Sequence, residues 1–209
     1  MRTILSDDII DFGVKYVLGE KVEFNDSLFE NLFLSYLGDL NSSTLREAIT
    51  CKIIGCKWSS EKLGDDGYDT TSGLIKEIKP KFVHGEKKSN GSGTFNDYTH
   101  ARLDAHIEKN TQVVVSLFTP KYLIYVIEFP IKTIEKTLRE KIIKSCDEDG
   151  NKWCRNASFS YKDYMYSEET KILFLNYNML NLLKCVNKNF LSSINEKLMP
   201  SKSVIDFIL

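Results

Sequence analysis

The stretch GYDTTSGLIKEIKPK, residues 67–81, decides how this chain reads. Thr71-Ser72-Gly73 is a turn signal between two short runs, so residues 65–82 read as a tight β-hairpin. Side chains alternate between the two faces of a strand, so Glu77 and Lys79 project from the same one. A buried face would carry Val or Ile there; this one carries an acid and a base. The first arm supplies more acid. A turn near Thr71 and Ser72 sets Asp66 opposite Glu77, and a turn one residue later brings Asp69 near it instead. Two carboxylates facing each other across a ladder repel. A divalent cation relieves that repulsion, and hard oxygen donors suit magnesium. Lys79 then stands where it orients a water or stabilises developing negative charge.

Outward from the hairpin, the periodicity is helical on the N-terminal side. Ser6 and Asp7 cap a first helix with Ile9, Ile10, Val14 and Val17 inward. Asn25 or Asp26 caps a second, with Leu28, Phe29, Leu32, Phe33 and Tyr36 at helical spacing. A third starts at Thr44. On the other side, residues 83–97 form a polar, glycine-rich loop, and Asn96 or Asp97 caps a helix running to Lys109. Two apolar runs follow, Gln112 to Phe118 and Tyr122 to Phe129. Continuous runs of that kind suit central strands covered on both faces. Beyond them come a Lys- and Glu-rich helix over 134–145, an irregular polar stretch over 146–163, a strand over 171–175 and one helix over 178–198.

At 209 residues the chain suits one domain, residues 1–209, with a core over 44–130 between a helical flank 1–43 and added elements 131–209. An apolar content of 42 % is enough for a packed core. The formal charge is −1, which excludes a purely electrostatic nucleic-acid binder but not an enzyme whose basic patch is offset by acids elsewhere. No apolar run is long enough to span a membrane. The opening MRTILSDDIIDF carries acids where a signal peptide needs an apolar centre, so a cytoplasmic protein without a membrane partner is expected. Five cysteines, an odd number at spacings that match no common zinc pattern, are expected to be free thiols.

GYD…EIK, preceded by a helix and followed by a helix and two strands, resembles the PD-(D/E)xK nuclease superfamily, in particular type II restriction endonucleases. The resemblance spans Thr44 to Phe129. It implies an α/β fold with an αβββαβ core, a mixed central sheet and helices added at both ends. It also implies a magnesium-dependent endonuclease acting on double-stranded DNA as a homodimer. By the resemblance Asp69 bridges the metal, Glu77 is the second metal ligand, and Lys79 lies beside the attacking water. Asp66 is the rival for the first role. The gap between acid and Glu is short for the family, and the Pro of the motif is missing.

Glu47 has two readings. In the family a Glu on the helix before the hairpin holds a water at the metal. In Thr44-x-x-Glu47 it also fits a capping box, bonded back to the Thr44 amide. Lys87, Lys88, Ser89 and Asn90 are candidate DNA contacts, because Lys and Ser hold phosphates and Asn reads adenine edges. Lys152, Arg155, Asn156, Ser158, Ser160 and Lys162 form a second such group. His100 and His106 are expected to face solvent or pack partly, and His84 to lie near DNA. Two rivals keep their place: a structure-specific repair or recombination nuclease, and a non-catalytic nucleic-acid-binding module.

Overall fold

The structure, a computed structural model, describes residues 5–24, 26–60, 64–145 and 153–199. The fold is mixed α/β. Three helices open the chain: α1 (Asp7–Val17), α2 (Ser27–Gly38) and α3 (Thr44–Ile53). Ser6 caps α1 by accepting from the Ile9 N–H, and Asp26 caps α2 by accepting from the Phe29 N–H at 2.7 Å. Then come β1 (Cys56–Trp58), β2 (Gly67–Asp69), β3 (Ile75–Phe82), β4 (Gly93–Thr99), α4 (His100–Glu108), β5 (Gln112–Phe118) and β6 (Leu123–Pro130). The chain continues through α5 (Glu135–Lys144), β7 (Trp153–Phe159), α6 (Tyr161–Tyr164), β8 (Lys171–Leu175), α7 (Tyr177–Leu183) and α8 (Lys188–Leu198).

Six strands form one sheet in the order β1-β2-β3-β5-β6-β8. Only β3 and β5 pair in parallel; the other neighbours are antiparallel. The two faces of the sheet carry separate cores. On one, Val17, Phe33, Leu37, Leu45 and Ile49 of α1–α3 pack on Ile78, Val114, Phe118 and Val126. On the other, Val113, Val115, Leu117, Ile127 and Phe129 pack beneath residues of β4, β7 and the later helices. Every residue of β5 is buried, as its unbroken apolar run requires of a strand covered on both sides. Its one hydroxyl on the α3 side, Ser116, bonds Thr50 of α3 at 3.0 Å.

Pro80 sits where β3 has lost its β2 neighbour. The Ile78 N–H is directed to that side, toward Asp66. By alternation Pro80 faces the same way, so the N–H it lacks has no strand to meet.

Three expectations about local structure change. The second half of the 83–97 loop is strand β4, and the polar stretch over 146–163 contains strand β7; the two pair antiparallel in a separate ribbon, Asn96 with Asn156. Helix α4 is capped by Thr99, whose hydroxyl accepts from the Arg102 N–H at 3.2 Å, and not by Asn96 or Asp97, which lie earlier in β4. The single C-terminal helix is broken at Lys184, which takes φ 47°, and Asn187 recaps α8 through the Phe190 N–H at 2.8 Å. No helix among the described residues is long and apolar enough to cross a membrane. Cys56, Cys154 and Cys185 are free thiols, Cys51 is buried in the core, and Cys146 lies outside the described residues.

Candidate active site

A cleft of about 1110 Å³ opens between the start of α3, the cleft face of β3, strand β4 and helix α4. Glu47, Asp66, Glu77 and Lys79 all line it. The hairpin register explains the meeting. Gly67 pairs with Lys76 and Tyr68 with Ile75, so the next step outward sets Asp66 against Glu77. Asp66 Oδ2 accepts the Ile78 N–H at 2.8 Å, and the Asp66 carbonyl accepts the Ser59 N–H at 2.9 Å. Both bonds hold this acid at the cleft, where it is buried.

Asp69 goes elsewhere. Its Oδ1 accepts the Thr71 and Ser72 N–H groups, each at 2.8 Å, and caps the hairpin turn. Those bonds hold its carboxyl below the ordinary value. Asp69 is not among the residues lining the cleft. Of the two acids that the sequence left open, the structure brings Asp66, not Asp69, to Glu77, and the expected meeting of Asp69 with Glu77 is corrected.

Glu77 is buried and takes an ion pair from Lys79 on the same strand face. Burial works against its charge, but the Lys79 ammonium and its hydrogen bond, with His106 and Arg102 beyond, hold the carboxyl below its usual value. Burial likewise works against the charge on Lys79. Glu77, Asp66 and Glu47 outweigh it and keep the ammonium above its ordinary value. One lysine thus sits in the field of three carboxylates from three separate elements. Its Nζ also lies 4.8 Å from the centre of the Phe95 ring, which β4 lays across the site.

Glu47 is not in a capping box. The helix begins one residue earlier than that box requires, with Ser43 at its cap and no side-chain cap bond. Ser43 Oγ donates to Glu47 Oε1, and the carboxylate is buried at the cleft wall.

Glu77 on β3 and Asp66, just ahead of β2, bring hard carboxylate oxygens to the cleft, with Glu47 of α3 on its wall; magnesium keeps several waters and takes one or two protein carboxylates of this kind. Among the described residues no group of three or more His, Cys, Asp and Glu side chains is placed to hold a metal ion by itself. A magnesium site here would be completed by water and substrate oxygens.

Sequence reading missed several residues of the cleft. His106, expected to face solvent or pack partly, is buried, with Nδ1 2.8 Å from the Tyr98 hydroxyl. Burial lowers its pKa below the ordinary value, against the opposite pull of Glu77. Arg102 lies over the Tyr98 ring, 5.6 Å from its centre, and donates to the Asn96 carbonyl at 3.2 Å. Lys81, Thr94 and Asn96 line the cleft as well. Only Lys81 was within reach of spacing, since it continues the Glu77, Lys79 alternation. The others depend on where β4 and α4 fold.

The DNA-contact candidates divide. Lys87, Lys88, Asn90, Arg155, Asn156 and Lys162 are exposed, and Ser158 is half-buried on β7. Ser89 is buried, its hydroxyl 3.0 Å from that of Tyr125 and its N–H on the Cys185 carbonyl, so it serves the core instead. Ser160 is spent on a reciprocal cap with Asp163 at the start of α6. Lys152 lies outside the described residues. His84 is exposed and lines a second, more apolar groove of about 660 Å³ with Leu34, Leu40 and Phe82. That groove holds none of the four site residues.

Comparison with protein-family models gives no match, and comparison with curated protein sequences gives none either.

Proposed function

We propose that this protein is a magnesium-dependent endonuclease that hydrolyses DNA phosphodiester bonds, and that it cuts at defined sequences as type II restriction enzymes do. The observation that carries the reading is Lys79 among Glu77, Asp66 and Glu47 on one open cleft. The order α3, β1–β3, α4, β5, interrupted by β4 of the separate ribbon before α4, with β3 parallel to β5, supports the likeness to an αβββαβ nuclease core. Cutting both strands at a palindrome calls for two such sites related by twofold symmetry, hence a homodimer.

Asp66 and Glu77 would hold the cation, with Glu47 holding a water beside it. Magnesium bound there would supply Lewis-acid polarisation of a phosphate oxygen. Lys79, charged at neutral pH, holds Glu77 ionised and presents its ammonium to the attacking water and to the charge that develops on phosphorus. Phe95 covers it and limits competing water.

Supercoiled plasmid incubated with and without magnesium tests the reading. Nicking or linearisation only with magnesium is expected, falling on the order of 100-fold or more in Glu77→Gln and Lys79→Ala. Undiminished cleavage by either variant overturns the assignment. Discrete fragments from phage DNA mark a site-specific enzyme, whereas a smear or junction-specific cutting marks a repair nuclease.

A further inference from the structure

Strand β3 carries three lysines. Lys76 pairs with Glu128 and Lys79 with Glu77. Lys81 is different. Its ammonium donates to Ser92 Oγ, and among the described residues no carboxylate pairs with it. It is half-buried and lines the cleft, one same-face step of about 6.6 Å beyond Lys79. Burial pushes its pKa below the ordinary value with no acid acting against it. An ammonium drawn partly out of water and facing only a neutral hydroxyl is under-compensated.

Ser92 is held over Lys81 by its two glycine neighbours. Gly91 takes φ +63°, and a Cβ there would lie 2.6 Å from both Phe190 and the Tyr164 hydroxyl. A Cβ on Gly93 would lie 2.4 Å from Phe159 and 3.2 Å from Lys79 Cβ. Tyr164 donates to the Gly91 carbonyl at 2.8 Å, and the Ser92 N–H donates to Asn90 Oδ1 at 3.3 Å. The Gly-Ser-Gly segment is thereby pressed onto the core, with Ser92 as its one projecting side chain. On the α4 side of the cleft Arg102 also has no carboxylate partner among the described residues. Two cations without an ion-pair partner among the described residues therefore line the same cleft as the carboxylates.

We propose that Lys81 and Ser92 form a phosphate-binding position that holds the backbone phosphate next to the one attacked, on a DNA strand lying along β3. The proposal rests on the nuclease reading above. A Lys–Ser pair suits phosphate oxygens and carries no base preference, so this position sets where the strand lies rather than which sequence is read.

The test is binding of a fluorescent DNA duplex by the full chain, with calcium in place of magnesium, across a salt series. Lys81→Gln is expected to weaken binding several-fold for every sequence and to reduce the slope of log affinity against log salt by about 1. Lys81→Arg keeps the slope, and in cleavage assays Lys81→Gln raises KM more than it lowers kcat. An unchanged slope in Lys81→Gln, in a protein that melts as wild type does, overturns this position while leaving the nuclease reading intact. A wild-type protein that cuts no DNA overturns the nuclease reading, and one that also binds none overturns both.

Discussion

The backbone N–H of Ile78 donates to Asp66 Oδ2 at 2.8 Å. That bond continues the ladder one position past the last β2–β3 pair and carries the Asp66 carboxylate to the strand that bears Glu77 and Lys79. It decides which of two nearby acids belongs to the site.

On the proposed nuclease reading, Asp66→Asn is accordingly expected to lower magnesium-dependent cleavage on the order of 100-fold, by analogy with the loss of other groups at metal sites. Asp69→Asn is expected to stay within a few-fold of wild type, because an Asn side chain still accepts the two turn N–H groups. Plasmid nicking rates of the two variants decide it; the reverse ranking would return the metal role to Asp69.

His106 predicts a pH dependence of stability. Burial lowers its pKa in the folded chain, while Glu77 and Asp65 pull upward and Arg102 and Lys79 downward. The unfolded chain therefore binds its proton more readily. The contribution is fully present above an ordinary histidine value of about 6.5 and is lost as pH falls from there through the lower folded value. Thermal melts of wild type and His106→Gln between pH 5 and 8 should converge toward the acid end. A constant difference across that range would contradict the buried neutral imidazole.

Lys76 and Glu128 form an ion pair buried on the opposite face of β3 from the cleft. Removing one partner leaves a buried charge, so Glu128→Leu should cost about 3–5 kcal/mol. The double variant Lys76→Met, Glu128→Leu should recover most of that, because two apolar side chains of similar size need no partner. Urea unfolding of the single and double variants measures the coupling, and simple additivity would refute it.

Gly93→Ala should lower both stability and activity. The new methyl meets Phe159 on one side and the Lys79 stem on the other. Overpacking of that kind costs about 1–3 kcal/mol. Cleavage per folded molecule, measured below the melting transition, should fall as well, since Lys79 must shift. Normal activity in a destabilised variant would mean the strain is absorbed entirely by Phe159.

The helices α1 and α2 were legible because their caps act within three residues, Ser6 on Ile9 and Asp26 on Phe29. The core strand β5 was legible because a continuous apolar run can be satisfied only by cover on both faces. The ribbon was not. β4 and β7 break their apolar residues with Thr, Asn, Asp, Arg and Ser, and their strand character comes from pairing with each other across a long sequence gap, Thr94 with Ser158 and Asn96 with Asn156. Without β4 in place, nothing in the sequence buries His106 or lays Phe95 over Lys79.

The sequence by itself determined that Glu77 and Lys79 share a face, because the pleat of a strand repeats every two residues whatever surrounds it. The same rule puts Lys81 in line with them. Only the tertiary structure decided that Asp66 joins them, that Glu47 turns to the cleft instead of capping its helix, and that Lys81 meets a serine rather than an acid. Those outcomes follow from hairpin register, helix start and strand pairing. Each is settled by hydrogen bonds whose partners no local spacing names.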